Sequence, residues 1–468
     1  MVERHTAAEL PPGDVIPARW LAYHVHDATA RGIVAAVTDL IRNQSEVKDR
    51  YLPTVRNLAG TLQVSPATVA KAWRVLSEAG LISTNGSQGT RVVGEEPLGH
   101  RLESVIGGLP TELDLASPNP DPGLLPDIEP HLAAVMSSGS LGDFNRYGGE
   151  VLIPPLATYA RRTWPFDPEM IIPGNGCYEG VLLLLDVLAY PGTRVAVESP
   201  TAAPVLDQLE YLRAEIVPVP TDGAGMIPSA LAKAGDVQVV VIQTRFSSPD
   251  GHTLTPDRAG ELAEILRTRR TVPIVIESDP APAFAAGPDA SLGDWLPDRV
   301  VLVRGWNKSH GPDLRVALIG GPRSVVQLAR RRRAMGAVWT SRLLQGTFHL
   351  MLSDGEVAET VAVAAGEYRQ RRAALARELS RLEIETYGTE GFSLWVPVQD
   401  EHTALRVLRA HGISAAPGSS FTHLPERQHH LRIATTQLPV RHAAQVALAV
   451  REAATASRAA LKVLPGLQ

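Results

Sequence analysis

The chain has 468 residues, 44% of them apolar and 20% charged, enough apolar surface to fold and too much length for a single hydrophobic core. Its 45 basic and 50 acidic residues leave a formal charge of -5, which excludes a uniformly basic coat and confines any nucleic-acid contact to one region. A single cysteine, Cys177, excludes an internal disulfide, and the first residues lack the basic-then-apolar layout of a secretory leader, so a cytoplasmic location is expected. The most apolar run, Val181 to Leu185 followed by Val187 and Leu188, falls far short of the roughly 20 residues that span a bilayer. It reads as a buried helix, and no membrane partner is expected.

Only five of the basic residues are lysines: Lys48, Lys71, Lys233, Lys308 and Lys462. Arginine is the default cation here, so a lysine in a special place is informative. Arginine stays charged and supplies no free amine for imine chemistry.

Proline and glycine punctuation divides the chain into residues 1–96, a connector 97–111 and a remainder 112–468. In the first part Ile33, Val37, Leu40 and Ile41, then Val55, Leu58 and Leu62, then Val69, Trp73 and Leu76 recur at helical spacing. Between the second and third helices, Ser65 is a good N-cap and Pro66 suits the first helical position, which predicts a tight helix-turn-helix. Leu81 to Ser83 and Thr90 to Val93 flank the Gly-rich Asn85 to Gly89 and read as a hairpin. In a helix-turn-helix the second helix enters the major groove, which here would present Ser65, Ala67, Thr68 and Lys71. Residues 42–91 carry seven basic against three acidic side chains, a local excess that suits phosphate contact. The bland alternative is a three-helix bundle with a solvated basic face.

The stretch LPTVRNLAGTLQVSPATVAKAWRVLSEAGLI with SQGTRVV resembles the winged helix-turn-helix of GntR-type bacterial repressors across residues 30–94. The resemblance implies a double-stranded DNA operator as partner, Thr54 and Arg56 on the DNA backbone, Ser65, Thr68 and Lys71 on the recognition helix, and Gly89, Thr90 and Arg91 in the wing. Pro66 stands where the family usually has an arginine, and Asn85 and Ser87 replace an arginine and a glycine of the wing. Operator preference is therefore left open.

From Met170 onward short β-rich runs alternate with helical stretches: Met170 to Ile172, Arg194 to Val197, Ile216 to Val219, Val237 to Gln243, Val272 to Glu277 and Val300 to Arg304. Such alternation predicts an α/β domain, a mostly parallel sheet with helices on both faces, whose ligands bind beyond the carboxyl ends of the strands. After the first run, Pro173 to Gly180 leads glycines into a helix N-terminus, a phosphate-binding arrangement. Ser278 and Asp279 follow the fifth run, and Gly305 to Arg315, with the scarce Lys308, follows the sixth. Arg432 sits in an apolar strand near the C-terminus. Singly these are a turn, a helix cap, a surface cation and an edge-strand charge. Together, an amine, a phosphate turn, a second phosphate cation, a carboxylate and a carboxylate-binding arginine describe pyridoxal 5'-phosphate held as a Schiff base.

NKSHGPDLRVALIGGP is similar to the lysine motif of fold-type I aminotransferase-like proteins, and HGISAAPGSSF with HHLRIATT resembles their C-terminal segment. The likeness runs from about Glu112 to about Glu452, with a large part near 160–335 and a smaller α+β part from about 340. A GntR-like winged helix fused to such a domain is the layout of the MocR/PdxR group of transcriptional regulators. That resemblance implies a head-to-tail homodimer whose aminotransferase-like part senses pyridoxal phosphate, alone or with an amino-compound effector. Lys308 would carry the cofactor, and Arg315, Asn307 and the amides of Gly176, Cys177 and Tyr178 would bind its phosphate. Tyr147 would reach the partner subunit's phosphate, and Arg432 would grip an effector carboxylate.

Departures from the family pattern cluster at the cofactor ring. Glu277-Ser278-Asp279-Pro280 puts Ser278 where the ring-nitrogen aspartate belongs, with Asp279 one residue off, and a shift of one turns a strand side chain to the other face. The Asn-Pro-Thr-Gly loop becomes Ser248 to Gly251, and Ala202 or Ala203 replaces the stacking aromatic. Pyridoxal phosphate is an electron sink only with a protonated ring nitrogen, so transamination suffers more than binding. Three readings follow: a regulator whose domain binds pyridoxal phosphate, a working aminotransferase that also binds DNA, and a regulator whose domain reads another metabolite. The first ranks highest, because Lys308, Arg315 and Arg432 are kept while ring contacts are lost. Arg330 to Arg333 reads as a solvated helix face, with flanking DNA as the alternative. His429 and His430 read as surface residues without metal-ligand spacing, and Trp339 to Arg342 as lining of a dimeric pocket.

Overall fold

The computed structural model describes residues 10–43, 47, 50–78, 81–85, 89–92, 101–102, 105, 111–139, 144, 146–284, 287, 289–388, 390–423 and 428–456. They form two compact units, residues 1–98 and 99–468.

In the first unit the helices are α1 (Ala18–His24), α2 (Ala30–Asn43), α3 (Val55–Leu62) and α4 (Pro66–Glu78). The apolar spacing read from the sequence becomes the core: Ile33, Val37, Leu58, Val69 and Leu76 are buried together with Trp20 and Leu21 of α1, a helix too short to show a period in the sequence. The Thr54 hydroxyl accepts from the Asn57 amide and caps α3, which ends at Gln63 in the left-handed region. Two residues on, Ser65 accepts from the Thr68 amide at 3.2 Å and so starts α4. Strands β1 (Ile82–Asn85) and β2 (Gly89–Val92) pair antiparallel, Ile82 opposite Val92. The hairpin is tied to the segment that leads into α3 by Leu52 N–H on Thr90 O at 2.7 Å and Val92 N–H on Arg50 O at 2.8 Å. Ser87 lies outside the described residues.

The second unit is built on eight strands in the order β4-β11-β10-β9-β8-β5-β6-β7. These are β4 (Met170–Gly174), β5 (Arg194–Ser199), β6 (Glu215–Asp222), β7 (Gly225–Met226), β8 (Val239–Gln243), β9 (Ile274–Asp279), β10 (Val300–Gly305) and β11 (Ala317–Gly321). The pairs among β10, β9, β8, β5 and β6 are parallel, and β11 runs against both its neighbours. The run expected to end at Glu277 continues to Asp279, because parallel pairing with β10 persists to Arg304. Alternate residues feed two cores, Val275, Val300 and Leu302 on one face and Ile276, Val301 and Val303 on the other. On the second face lies the apolar helix Cys177–Leu188, with Val181, Leu184 and Leu185 buried, each worth about 2 kcal/mol of apolar burial. A smaller sheet orders β12 (Ser393–Val398), β14 (His429–Ala434), β13 (Ile413–Pro417) and β3 (Leu113–Leu115). Its edge strand β3 pairs parallel with β13, Leu113 opposite Ile413, so residues just past the connector are built into the C-terminal part.

Among the described residues no helix is long and apolar enough to cross a membrane, and no group of three His, Cys, Asp or Glu side chains is placed to hold a metal.

Candidate functional site: a lysine cavity at the strand ends

Beyond the carboxyl ends of β4, β9 and β10 lies a cavity of about 790 Å³, lined by Tyr178, Ser248, Asn307, Lys308, Arg315 and Arg432 among others. Its floor depends on close approach of helix to sheet. A Cβ at Gly305 would stand 2.7 Å from Cβ of Cys177, so only glycine lets the end of β10 lie against the first turn of Cys177–Leu188.

One end of the cavity is an anion cradle. Gly176 is the N-cap of that helix, with φ 116°, and it offers the first amides, those of Gly176, Cys177 and Tyr178, together with the positive end of the helix dipole. The Arg315 guanidinium lies directly over it, its Nη2 2.9 Å from where a Gly176 Cβ would stand. The buried Oδ1 of Asn307 has no hydrogen-bond partner among the described residues, and half a turn of the amide presents its NH2 to an anion. Behind the cradle, Glu179 accepts from the Asn175 amide at 2.9 Å and Thr340 donates to the Asn175 side chain at 2.7 Å. Arg333 donates to the Pro173 carbonyl and approaches Glu179 at 3.5 Å. This corrects the expectation of a solvated face for Arg330 to Arg333: the first three are exposed, and Arg333 is buried as a brace under the glycine turn.

Lys308 follows β10 and points into the middle of the cavity. Its amine donates to the Pro118 carbonyl and lies 5.9 Å from the Phe392 ring centre. Burial, with the Arg432 guanidinium adding to it, pushes the amine down to about 8. Arg432, in β14, donates to Ser248 Oγ at 3.4 Å and to the Ala116 carbonyl, and stacks over Phe421 at 4.7 Å. Its Nε is buried without a partner among the described residues, and burial lowers its pKa to about 10. The sequence offered no signal for the two carbonyl acceptors at residues 116 and 118, because backbone oxygens have no residue signature.

The ring end is different. Ser278 is buried on the face of β9 that carries helix Cys177–Leu188, its hydroxyl 3.3 Å from Cys177 Sγ. Burial pushes the Cys177 thiol up to about 12, so it stays protonated and unreactive. Asp279 corrects its expected role. It turns to the opposite face, where it meets Arg304 at 3.3 Å and Arg245 at 3.4 Å, and both arginines are also paired with Asp289. Strand alternation puts it there, and no ring contact is open to it. Asp250, in the altered loop, is likewise turned away. It meets Nδ1 of the buried His252 at 2.9 Å, while Nε2 meets Glu198 at 3.0 Å. Two carboxylates outweigh the cost of burial and raise His252 to about 10.

Other expected residues lie elsewhere. Tyr147 is 97% exposed and sits edge-on to Trp339 at 6.0 Å, outside the cavity of its own chain. Arg342 holds that loop through the carbonyls of Arg146 and Gly148. His429 is exposed, but His430 is buried and stacked on Trp395 at 4.9 Å, which corrects its reading as a surface residue. In the first unit Arg56, Ser65 and Lys71 are exposed along α3, the turn and α4, with Gly89, Thr90 and Arg91 on β2. The Thr54 and Thr68 hydroxyls take part in the caps of α3 and α4.

A winged helix-turn-helix joined to a lysine cavity on a doubly covered sheet defines a class: a DNA-reading unit fused to an aminotransferase-like domain. Residues 29–92 match the family model of bacterial regulatory proteins of the gntR family, and residues 113–447 that of aminotransferases of class I and II. The chain belongs to the MocR-type transcriptional regulators, which combine the two. It is 30% identical over 397 residues to the vitamin B6 salvage pathway transcriptional repressor PtsJ of Salmonella typhimurium, covering 83% of this chain and 89% of that one. The pyridoxine biosynthesis transcriptional regulator PdxR of Corynebacterium glutamicum is 24% identical, covering 71% and 74%. Among solved structures, the α-aminoadipate aminotransferase LysN of Thermus thermophilus, complexed with a phosphopyridoxyl-leucine, superposes with a TM-score of 0.67 at 19% identity over 78% of this chain and 96% of that one. A multiple substrate aminotransferase from Thermococcus profundus gives 0.68 at 19% identity over 79% and 96%. These likenesses show a fold that binds pyridoxal phosphate in other proteins.

Proposed function

We propose that this regulator is a cytoplasmic homodimer whose second unit is a receptor for pyridoxal 5'-phosphate, and that occupancy of the receptor alters its hold on a double-stranded DNA operator. The observation that carries the reading is Lys308, a half-buried amine held below its ordinary pKa, beside an anion cradle and away from any acid that would support turnover. The amides of Gly176, Cys177 and Tyr178, with Arg315 and Asn307, would hold the phosphate, and Lys308 would supply the amine. Bound there, the cofactor supplies an aldehyde that the lysine captures. Ser278, which cannot keep a pyridine nitrogen charged, leaves the group a ligand rather than an electron sink. Arg432 would take the carboxylate of an amino-compound effector through its unpartnered Nε, and Tyr147 of each subunit would reach the other's cradle. The names of the curated relatives, which place them in vitamin B6 salvage and pyridoxine biosynthesis, support the same choice of ligand.

The test is visible absorbance of the purified chain with added pyridoxal phosphate, beside Lys308→Ala. A band in the wild type alone supports capture at Lys308. A band in neither protein removes pyridoxal phosphate from the reading and leaves a DNA-binding regulator with a different ligand.

A further inference from the structure

We infer that the DNA-reading unit begins at Leu10, ahead of its helix-turn-helix, and that Tyr51, held from behind by residues 11–16, is the positioning residue that sets β2 against DNA. The inference rests on the reading of Gly89, Thr90 and Arg91 as the part of the wing that meets DNA.

A lone two-stranded hairpin is marginal in water, and β1 with β2 offers only four residues on each side. Tyr51 gives the pair a third strand. Leu52 N–H donates to Thr90 O at 2.7 Å and Val92 N–H to Arg50 O at 2.8 Å, so Tyr51 and Arg91 stand directly opposite as a pair without hydrogen bonds of its own. Such pairs bring their side chains closest together. Gly89 and Arg91 share that face of β2, and Thr90 takes the other. The Tyr51 ring reaches across to Gly89, its Cδ1 3.5 Å from where a Gly89 Cβ would stand. It thus lies under one exposed residue of β2 while its backbone faces the other, Arg91.

The far edge of Tyr51 is fixed by a segment that precedes the helix-turn-helix. The Tyr51 amide donates to Asp14 O at 2.7 Å and its carbonyl accepts from Ile16 N–H at 2.8 Å, a parallel bridge centred on Val15. Beside it, Arg50 Nη1 donates to Pro11 O at 2.5 Å. The segment is itself anchored: Leu10 and Ile16 are buried, and α1, which follows, sinks Trp20 and Leu21 into the core shared with Leu58 and Val69. All of this lies ahead of residue 29, where the match to the gntR family model starts. The layer therefore runs Asp14–Ile16, Tyr51, β2, β1. A charge presented from a strand that its neighbours already hold costs less ordering entropy when DNA arrives.

Binding of the full-length chain to a long mixed-sequence DNA duplex, followed against salt concentration, tests this, because each phosphate neutralised adds about 0.9 to the slope. Tyr51→Ala leaves every charge in place. It should nonetheless lower the slope by about 0.9 per DNA-binding unit on the duplex, as Arg91→Ala does, and the double variant should fall no further than Arg91→Ala alone. Tyr51→Phe keeps the ring and should bind as wild type. Ile16→Pro removes the amide that holds the Tyr51 carbonyl and should lower the slope as Tyr51→Ala does, whereas Ile16→Ala keeps that amide and should leave the slope unchanged. A wild-type slope in Tyr51→Ala beside a reduced one in Arg91→Ala overturns the positioning role and leaves the wing contact standing. Wild-type slopes in both overturn the two together. A loss in Tyr51→Ala without one in Arg91→Ala, or a double variant that loses more than Arg91→Ala, means that Tyr51 acts on other contacts and overturns the role. So does a Tyr51→Phe variant as weak as Tyr51→Ala. A wild-type slope in Ile16→Pro overturns the part given to residues 11–16.

Discussion

Lys308 is costly to the fold, and the cost can be measured. Its amine is held at about 8 against an ordinary 10.5, so below pH 8 the folded chain carries a charge in a site that disfavours it. At 1.36 kcal/mol per unit the upper bound is about 3 kcal/mol. Two terms reduce it: the amine is only partly buried and faces a cavity open to water, and Lys308→Met also forfeits the bond to Pro118, about 1 kcal/mol. Lys308→Met is therefore expected to be more stable than wild type by about 1–2 kcal/mol at pH 7. The pH dependence follows from the sign of the shift. Between pH 8 and 10.5 the unfolded chain holds the proton and the folded chain has released it, so wild-type stability rises with pH. The advantage of the variant is flat below pH 8 and disappears by about pH 10.5. Urea midpoints of the larger unit at pH 7 and pH 9.5 measure both effects. A variant less stable than wild type at pH 7, or a gap that ignores pH, refutes the reading of Lys308 as an amine held below its ordinary pKa.

Gly176→Ala forces a side chain into φ 116° and against Arg315; strain of about 1–3 kcal/mol and a displaced guanidinium should weaken pyridoxal phosphate binding about tenfold or more by calorimetry, and unchanged affinity would remove the cradle from the site. His252→Leu leaves Glu198 and Asp250 buried without their cation and should destabilise by about 3 kcal/mol. Because the folded His252 is raised to about 10, its contribution is complete below its unfolded pKa of 6.5 and is lost as pH rises through 10. The thermal-midpoint difference should therefore be largest near pH 6 and fade by pH 10. Arg56→Ala should weaken binding to all DNA sequences alike and lower the salt slope by about one, and an unchanged slope would argue against a phosphate contact.

The sequence by itself determined the modules and the chemistry available. Helical periodicity in residues 30–78 and the Ser65-Pro66 start carry a local signal, because capping and one-sided burial act over a few residues. Strand alternation marked the sheet, and the scarcity of lysine marked Lys308. Alternation warned that a shift of one residue would turn Asp279 to the other face, yet Asp279 stayed among the candidates for the cofactor until the folded sheet placed it. Which face it would occupy was legible, but its partners were not, since Arg245, Arg304 and Asp289 reach it only through the folded sheet. The brace at Arg333 was hidden in a run of four arginines, identical in composition and separated only by where helix Arg323–Ala334 turns toward the glycine loop. His430 differs from His429 by strand parity alone, and Trp395, the ring it stacks on, comes from another strand. Hardest to foresee were the acceptors of the cavity cations, where Lys308 and Arg432, far along the chain, meet the backbone carbonyls of Pro118 and Ala116. A carbonyl oxygen is the same at every position, so its role is set by what the tertiary structure brings against it.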